Sequence, residues 1–266
     1  MLPREPSGPR IRPMLLSPPP PPADFPGEAE RPPRPSLGTG ARIWLVRHGR
    51  VTAPDTAYGD ADVPLSQEGL RQTEAVARSL APLGARGVLS SPLQRARQLG
   101  EAVARASAAP LQITDRLKEL HRGEWQGVAR TEYAERWARE RDAYWESTLT
   151  WRGHGGESEE EMVERAWPAL IEAVDVATGG VAVITAHRQV IRALTAAALG
   201  VSPGASHRME LEPAHGILLR DASGGWILER TNAPSPGAPH AAEPPDGPPR
   251  DVVTQLRCGD ALPATA

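Results

Sequence analysis

The chain has 266 residues, 39% of them apolar and 24% charged, with a formal net charge of −3. That length supports one full hydrophobic core without staples, and the near-neutral balance excludes a global pull toward nucleic acid or an anionic membrane surface. A single cysteine, Cys258, excludes an intrachain disulfide and a cysteine-based metal centre.

Proline usage divides the chain. Of 29 prolines, 13 lie in residues 1–40 and 8 in residues 232–266. The expected organisation is a Pro-rich tail (1–40), one folded body (41–231) and a second Pro-rich tail (232–266). Neither tail has enough apolar surface to offset its ordering entropy, and both are expected to be disordered. Pro18–Pro22 reads as polyproline II, which suits an SH3-type ligand or a plain tail. Met14-Leu15-Leu16 is too short for a secretory signal, and no apolar run approaches the roughly 18 residues that span a bilayer. A cytoplasmic protein is the expectation.

Ile43-Trp44-Leu45-Val46 is a continuous apolar run suited to a strand buried on both faces. Ser66 predicts an N-cap for a helix over 67–83 with Leu70, Thr73, Ala77 and Leu80 inward. Gly87-Val88-Leu89 reads as a second strand. Ser91 as N-cap with Pro92 at the first helical position predicts a helix to Ala106. Leu111–Thr114 reads as a third strand, and 130–147 as a charged helix. Ser158 and Glu161 form a capping box opening a helix that turns Met162, Val163, Ala166, Leu170 and Val174 inward, with Pro168 as a kink. Val181–Thr185 is a strand, followed by a helix over 190–199. Ile217–Leu219 and Trp226–Leu228 flank Gly224-Gly225 as a hairpin. Strands alternating with helices predict a three-layer α/β/α sandwich around a doubly wound, mostly parallel sheet.

Ligands of such sheets lie beyond the carboxyl ends of the strands. There the sequence places Arg47-His48-Gly49, then Arg95 just inside a helix, then His187-Arg188. Two histidines and several arginines beside helix N-termini suit a phosphate dianion, because arginine forks match its oxygens and N-terminal amides add donors.

Val46-Arg47-His48-Gly49 resembles the signature of the histidine phosphatase superfamily, the phosphoglycerate-mutase-like enzymes. Four more segments resemble it in order: Pro64–Gly69, Ser90–Ala96, Leu117-Lys118-Glu119 with Gly123–Gly127, and Ala186-His187 with Val190-Ile191-Arg192. The resemblance covers residues 41–231. It implies a phosphoglycerate-mutase-like fold and a phosphatase acting on small phosphorylated metabolites, with neither metal nor cofactor, as a monomer or homodimer.

In that reading His48 is the nucleophile and carries a phosphohistidine. Arg47, Arg95 and His187 stabilise the transferring group, Gly49 lets the backbone pass close to it, and Glu119 is the general acid, with Glu124 as the alternative. Phosphoglycerate mutase is the enzyme alternative; a non-catalytic phospho-ligand binder is the other, against which His48, Arg95, Glu119 and His187 are all present.

The chain departs from the pattern in places. Many members carry an asparagine near position 54; here Pro54 stands there, and Arg50 is the expected substitute donor. Arg188 and Gln189 replace two glycines after the second histidine, which either narrows the pocket or adds a phosphate contact. The segment after Glu119 is short for a mutase. Six of the chain's 11 aromatic residues lie in 121–157, either packing a small cap or forming a substrate wall. Tyr58-Gly59-Asp60 is similar to α-ribazole-phosphatase-like members. The remaining histidines show no metal-ligand spacing; His121 and His154 are read as pocket walls and His207, His215 and His240 as without a role. Glu157–Glu161 reads as acidic residues favoured by the helix dipole.

Overall fold

The computed structural model describes residues 33–129, 132, 136–146, 149–152 and 155–234. Four parallel strands form the centre: β1 (Arg42–Arg47), β3 (Val88–Ser90), β4 (Leu111–Ile113) and β6 (Val181–Ala186). The hairpin β7 (His215–Ala222) and β8 (Gly225–Pro234) extends the sheet, giving the order β4-β3-β6-β1-β7-β8 with β7 antiparallel to β1. Two-residue strands β2 (Thr56–Ala57) and β5 (Val128–Ala129) pair separately.

Alternation in β1 explains the layers. Trp44 and Val46 join Val76, Leu80, Leu99 and Val103 on one face, under α1 (Gln67–Leu80) and α2 (Gln94–Ser107). Ile43 and Leu45 join Met162, Leu170, Ile191 and Leu194 on the other, under α4 (Glu159–Ala177) and α5 (Arg188–Leu199). Helix α3 (Ala138–Glu146) lies in the segment between Glu119 and α4. The expected three-layer α/β/α sandwich is therefore the fold, with a mostly parallel sheet. No helix among the described residues is long and apolar enough to cross a membrane.

Two helices differ from expectation in part, although Ser66 caps α1 at Gln67 as predicted. In α1 the buried set is Gly69, Thr73, Val76, Ala77 and Leu80, while Leu70 is 42% exposed. The stripe runs through Gly69 because a side chain there would collide with the Arg50 carbonyl. Helix α2 begins at Gln94, not at Pro92, and its N-cap Leu93 makes no side-chain cap bond. Ser91 is engaged elsewhere, as described below. By contrast, both bonds of the Ser158–Glu161 capping box are present, and Met162, Val163, Ala166, Leu170 and Val174 are all buried.

The edges of the body also differ. Residues 34–40 were expected in the tail, yet they lie as a strap on the body. Arg34 N–H donates to Ala197 O (2.9 Å), and Trp226 Nε1 donates to Pro35 O (3.3 Å). The fully buried Asp221 carboxylate accepts from Leu37 N, Gly38 N, Thr39 N and Thr39 Oγ1 at 2.7–3.0 Å. Burial opposes its ionisation, but the Thr39, Gly38 and Leu37 donors outweigh that and hold it below its ordinary range. At the other end β8 continues to Pro234.

Candidate active site

Strand β1 delivers Arg47 and His48 to the carboxyl edge of the sheet, where His48 N–H donates to Ala186 O at the end of β6 (3.2 Å). His48 is 8% exposed, and its Nδ1 lies 2.7 Å from the carbonyl oxygen of Gly49. A carbonyl only accepts, so Nδ1 carries the hydrogen and the Nε2 lone pair is left available. Burial first, then Arg47 and Arg95, push the His48 imidazole well below its ordinary pKa and keep it neutral.

Gly49 makes the close packing of this loop feasible. A Cβ on Gly49 would lie 2.5 Å from the Gly69 carbonyl. The two glycines let the loop after β1 press against the start of α1. The tight approach expected at Gly49 is thus to the protein's own backbone.

His187 follows β6 as the N-cap of α5 and is fully buried, its ring centroid 5.2 Å from that of His48. Its Nε2 lies 2.8 Å from Ser91 Oγ, and its buried Nδ1 has no hydrogen-bond partner among the described residues. Burial, followed by Arg95, His48, Arg165 and Arg47, lowers its pKa as well.

Arg95, in the first turn of α2, is 3% exposed and donates to Ala61 O (2.6 Å) and Gly59 O (2.8 Å). It thereby holds the 58–61 loop, whose Gly59 sits at φ +55° with no room for a Cβ beside the Leu120 carbonyl. Burial pulls the Arg95 guanidinium down from its ordinary value, and the carboxylates of Glu119, Asp62 and Asp60 oppose that. Arg47 donates to Leu211 O at 2.6 Å.

Glu119 is half-buried. Its Oε1 accepts from Leu120 N (2.9 Å) and its Oε2 from Gln189 N in the first turn of α5 (3.2 Å). Glu124, the alternative acid, is exposed. Arg188 opens α5 half-buried beside His187, and with burial it draws the Arg192 pKa down to about 10.

The structure therefore brings Arg47, His48, Arg95, Glu119 and His187 to one strand edge. Arg50 is not joined to them. It is exposed, its peptide is tied to Gln72 and Ser66, and the cations acting on the histidines are Arg47, Arg95 and Arg165.

Two contributors escaped the sequence reading. Ser91, a helix cap by its sequence position, instead meets His187 Nε2. Arg165 grips Glu157 with two bonds (2.6 and 2.8 Å) and also donates to the main-chain oxygens of Arg116 and Glu119. A charged residue beside the buried Val163 and Ala166 on α4 was the available signal. His207, read as without a role, is joined to Glu159. His121 pairs with Asp60 at 2.9 Å. Trp125 stacks on Trp151 and meets the edge of Tyr144, so these members of the aromatic segment pack on one another. Tyr133, His154 and His240 lie outside the described residues. No group of three or more His, Cys, Asp or Glu among the described residues is placed to hold a metal ion.

The sequence profile of the histidine phosphatase superfamily, branch 1, matches residues 43–234. A glucosyl-3-phosphoglycerate phosphatase of Mycolicibacterium vanbaalenii is 36% identical over 169 residues, spanning 60% of this chain and 75% of that protein. A protein of Salmonella paratyphi C, named a probable phosphoglycerate mutase, is 29% identical over 198 residues, 71% of this chain and 91% of its own. Among solved structures, a mycobacterial glucosyl-3-phosphoglycerate phosphatase in complex with inorganic phosphate superposes with a TM-score of 0.64 at 26% identity. It covers 73% of this chain and 98% of that one.

Proposed function

This chain belongs to the histidine phosphatase superfamily, branch 1, and on that premise we propose that it hydrolyses small phosphomonoesters through a phosphohistidine on His48. The observation that carries this reading is the Nδ1–H bond from His48 to Gly49 O, which leaves a neutral Nε2 lone pair among two arginines and a second histidine.

In the first step Nε2 of His48 bonds to phosphorus while the ester P–O bond breaks. Glu119 gives its proton to the departing oxygen. In the second step water attacks phosphorus, Glu119 takes a proton from it, and the P–N bond breaks to release inorganic phosphate. Arg47, Arg95 and His187 hold the equatorial oxygens and offset the charge spread over them. The neutral state of His48 suits it to attack without prior deprotonation. Position favours Glu119 over Glu124 as the acid: Glu119 is half-buried beside Arg95 and the first turn of α5, whereas Glu124 is exposed.

The compound named for the 36% identical relative makes a glycerate- or sugar-type phosphate the first substrate class to try. Steady-state hydrolysis of an aryl phosphate, and of a panel of sugar and glycerate phosphates, with and without excess EDTA, tests the reading. Turnover that persists in EDTA and is inhibited by vanadate is expected. Strict dependence on added magnesium, or no turnover of any ester, would contradict it.

A further inference from the structure

The buried carboxylate of Glu159 lies outside the catalytic set yet connects to it. Glu159 is the first residue of α4 and is 2% exposed. Its Oε1 accepts from Tyr144 Oη of α3, from His207 Nε2 at 2.7 Å, and from Gln189 Nε2 of α5 at 3.3 Å. Burial alone opposes a charge here. His207, Tyr144 and Arg122 outweigh it and hold the Glu159 carboxyl below its ordinary range. One dry anion thus ties together the start of α4, α3, the start of α5 and the turn after α5.

Gln189 is the link to chemistry. Its side-chain amide binds Glu159, and its main-chain N–H binds Glu119 Oε2 at 3.2 Å. Fixing the Gln189 side chain fixes the orientation of the peptide that holds Oε2 of Glu119. Tyr144 extends the same network toward the Glu119 loop, because its ring meets Trp125, six residues after Glu119. A carboxyl group that gives and takes a proton must lie within hydrogen-bond reach of the leaving oxygen, so its orientation sets its efficiency.

We infer that Glu159, with His207 and Tyr144, is a positioning group that acts through Gln189 to aim the Glu119 carboxyl at the leaving oxygen. The inference rests on the proposed role of Glu119. It assigns Gln189 two functions: a main-chain donor to the acid and a side-chain tether to the buried anion.

The test is the dependence of rate on the leaving group. Aryl phosphates leave with little protonation, whereas alkyl phosphates need the acid. Gln189→Ala and Gln189→Met remove the tether and keep the main-chain N–H. Both are expected to lower kcat on an alkyl phosphate by about tenfold to a hundredfold, the scale of a misplaced catalytic group. On an aryl phosphate the loss is expected to stay within a few-fold. Glu119→Gln should show the same selective loss, only deeper. Tyr144→Phe, which deletes one bond to Glu159, should shift the alkyl-to-aryl ratio in the same direction by less.

Glu159→Gln is the harshest probe and is read only where its circular dichroism and thermal unfolding match the wild type. Folded Gln189 variants with a wild-type alkyl-to-aryl ratio, beside a Glu119→Gln that shows the selective loss, would overturn the positioning role alone. A Glu119→Gln variant without selective loss would instead remove the acid assignment on which it rests.

Discussion

His187 Nε2 lies 2.8 Å from Ser91 Oγ across 96 residues of sequence, joining the end of β6 to the loop after β3. Ser91 Oγ also accepts from Leu93 N at 3.3 Å, which leaves its own hydrogen and a second lone pair for the imidazole. When the serine donates to Nε2, the His187 hydrogen sits on Nδ1, a buried nitrogen with no protein partner among the described residues. An unpaired donor kept dry costs stability, and it is what a site for a phosphate oxygen requires.

Ser91→Ala should therefore impair catalysis without touching any group that contacts phosphate. Losing one buried hydrogen bond of about 1–2 kcal/mol corresponds to roughly a fivefold to thirtyfold fall in kcat. His187→Ala, which removes the donor itself, should cost about a hundredfold to a thousandfold. Steady-state kinetics on one aryl phosphate separates the two. A Ser91→Ala enzyme at wild-type rate would show that the serine does not set the histidine's hydrogen.

Stability should depend on pH through the two buried histidines, His48 and His187. An unfolded imidazole titrates near ~6.5, and burial together with neighbouring arginines holds both His48 and His187 well below that when folded. Between the folded and unfolded values, the unfolded chain binds protons that the native protein refuses. Stability is then fully present above pH ~6.5 and declines as pH falls below it, each group contributing up to about 1.4 kcal/mol per pH unit. Urea midpoints measured from pH 8 to pH 5 should fall on the acid side. His187→Gln should lessen the slope there. An unaltered slope in that variant would mean that His187 does not titrate as its burial implies.

The strap makes a third expectation. A fragment of residues 33–234 should be more stable than one of 41–231, because the shorter one loses the donors that satisfy Asp221 and the last three residues of β8. Asp221→Asn should cost about 1–3 kcal/mol by leaving buried donors poorly matched. It should also make the chain cleavable between Arg34 and Gly40 in limited proteolysis, with kcat on an aryl phosphate retained. Equal stability of the 41–231 and 33–234 fragments would show that the strap contributes nothing.

What was legible in the sequence was local. Arg47-His48-Gly49, Arg95 and His187 could be placed because strand ends and helix starts are written in contiguous residues, and Ser158 with Glu161 because a capping box closes within four. What was missed depends on contacts far along the chain. Ser91 looks like a helix cap until His187 takes its hydroxyl. Leu70 fits an apolar stripe until Gly69 is seen pressed on Arg50. Glu159 reads as one of several acids at a helix start, yet Tyr144 and His207 reach it from 15 and 48 residues away. Arg50 matched a phosphate donor by position, but its peptide is engaged and its side chain faces outward. The strap is hidden by a Pro-rich composition that resembles a tail, because Asp221 binds its main chain and not its side chains, apart from Thr39.

The covalent role of His48 is open to direct measurement. Rapid quench of the enzyme with a phosphorus-labelled aryl phosphate, followed by peptide mapping under alkaline conditions that preserve phosphoramidates, locates the phosphoryl group. Acid-labile label on the peptide carrying His48, and neither label nor turnover in His48→Ala, is the expected result. Label on any other residue, or His48→Ala turning over at the wild-type rate, would contradict a phosphohistidine at His48.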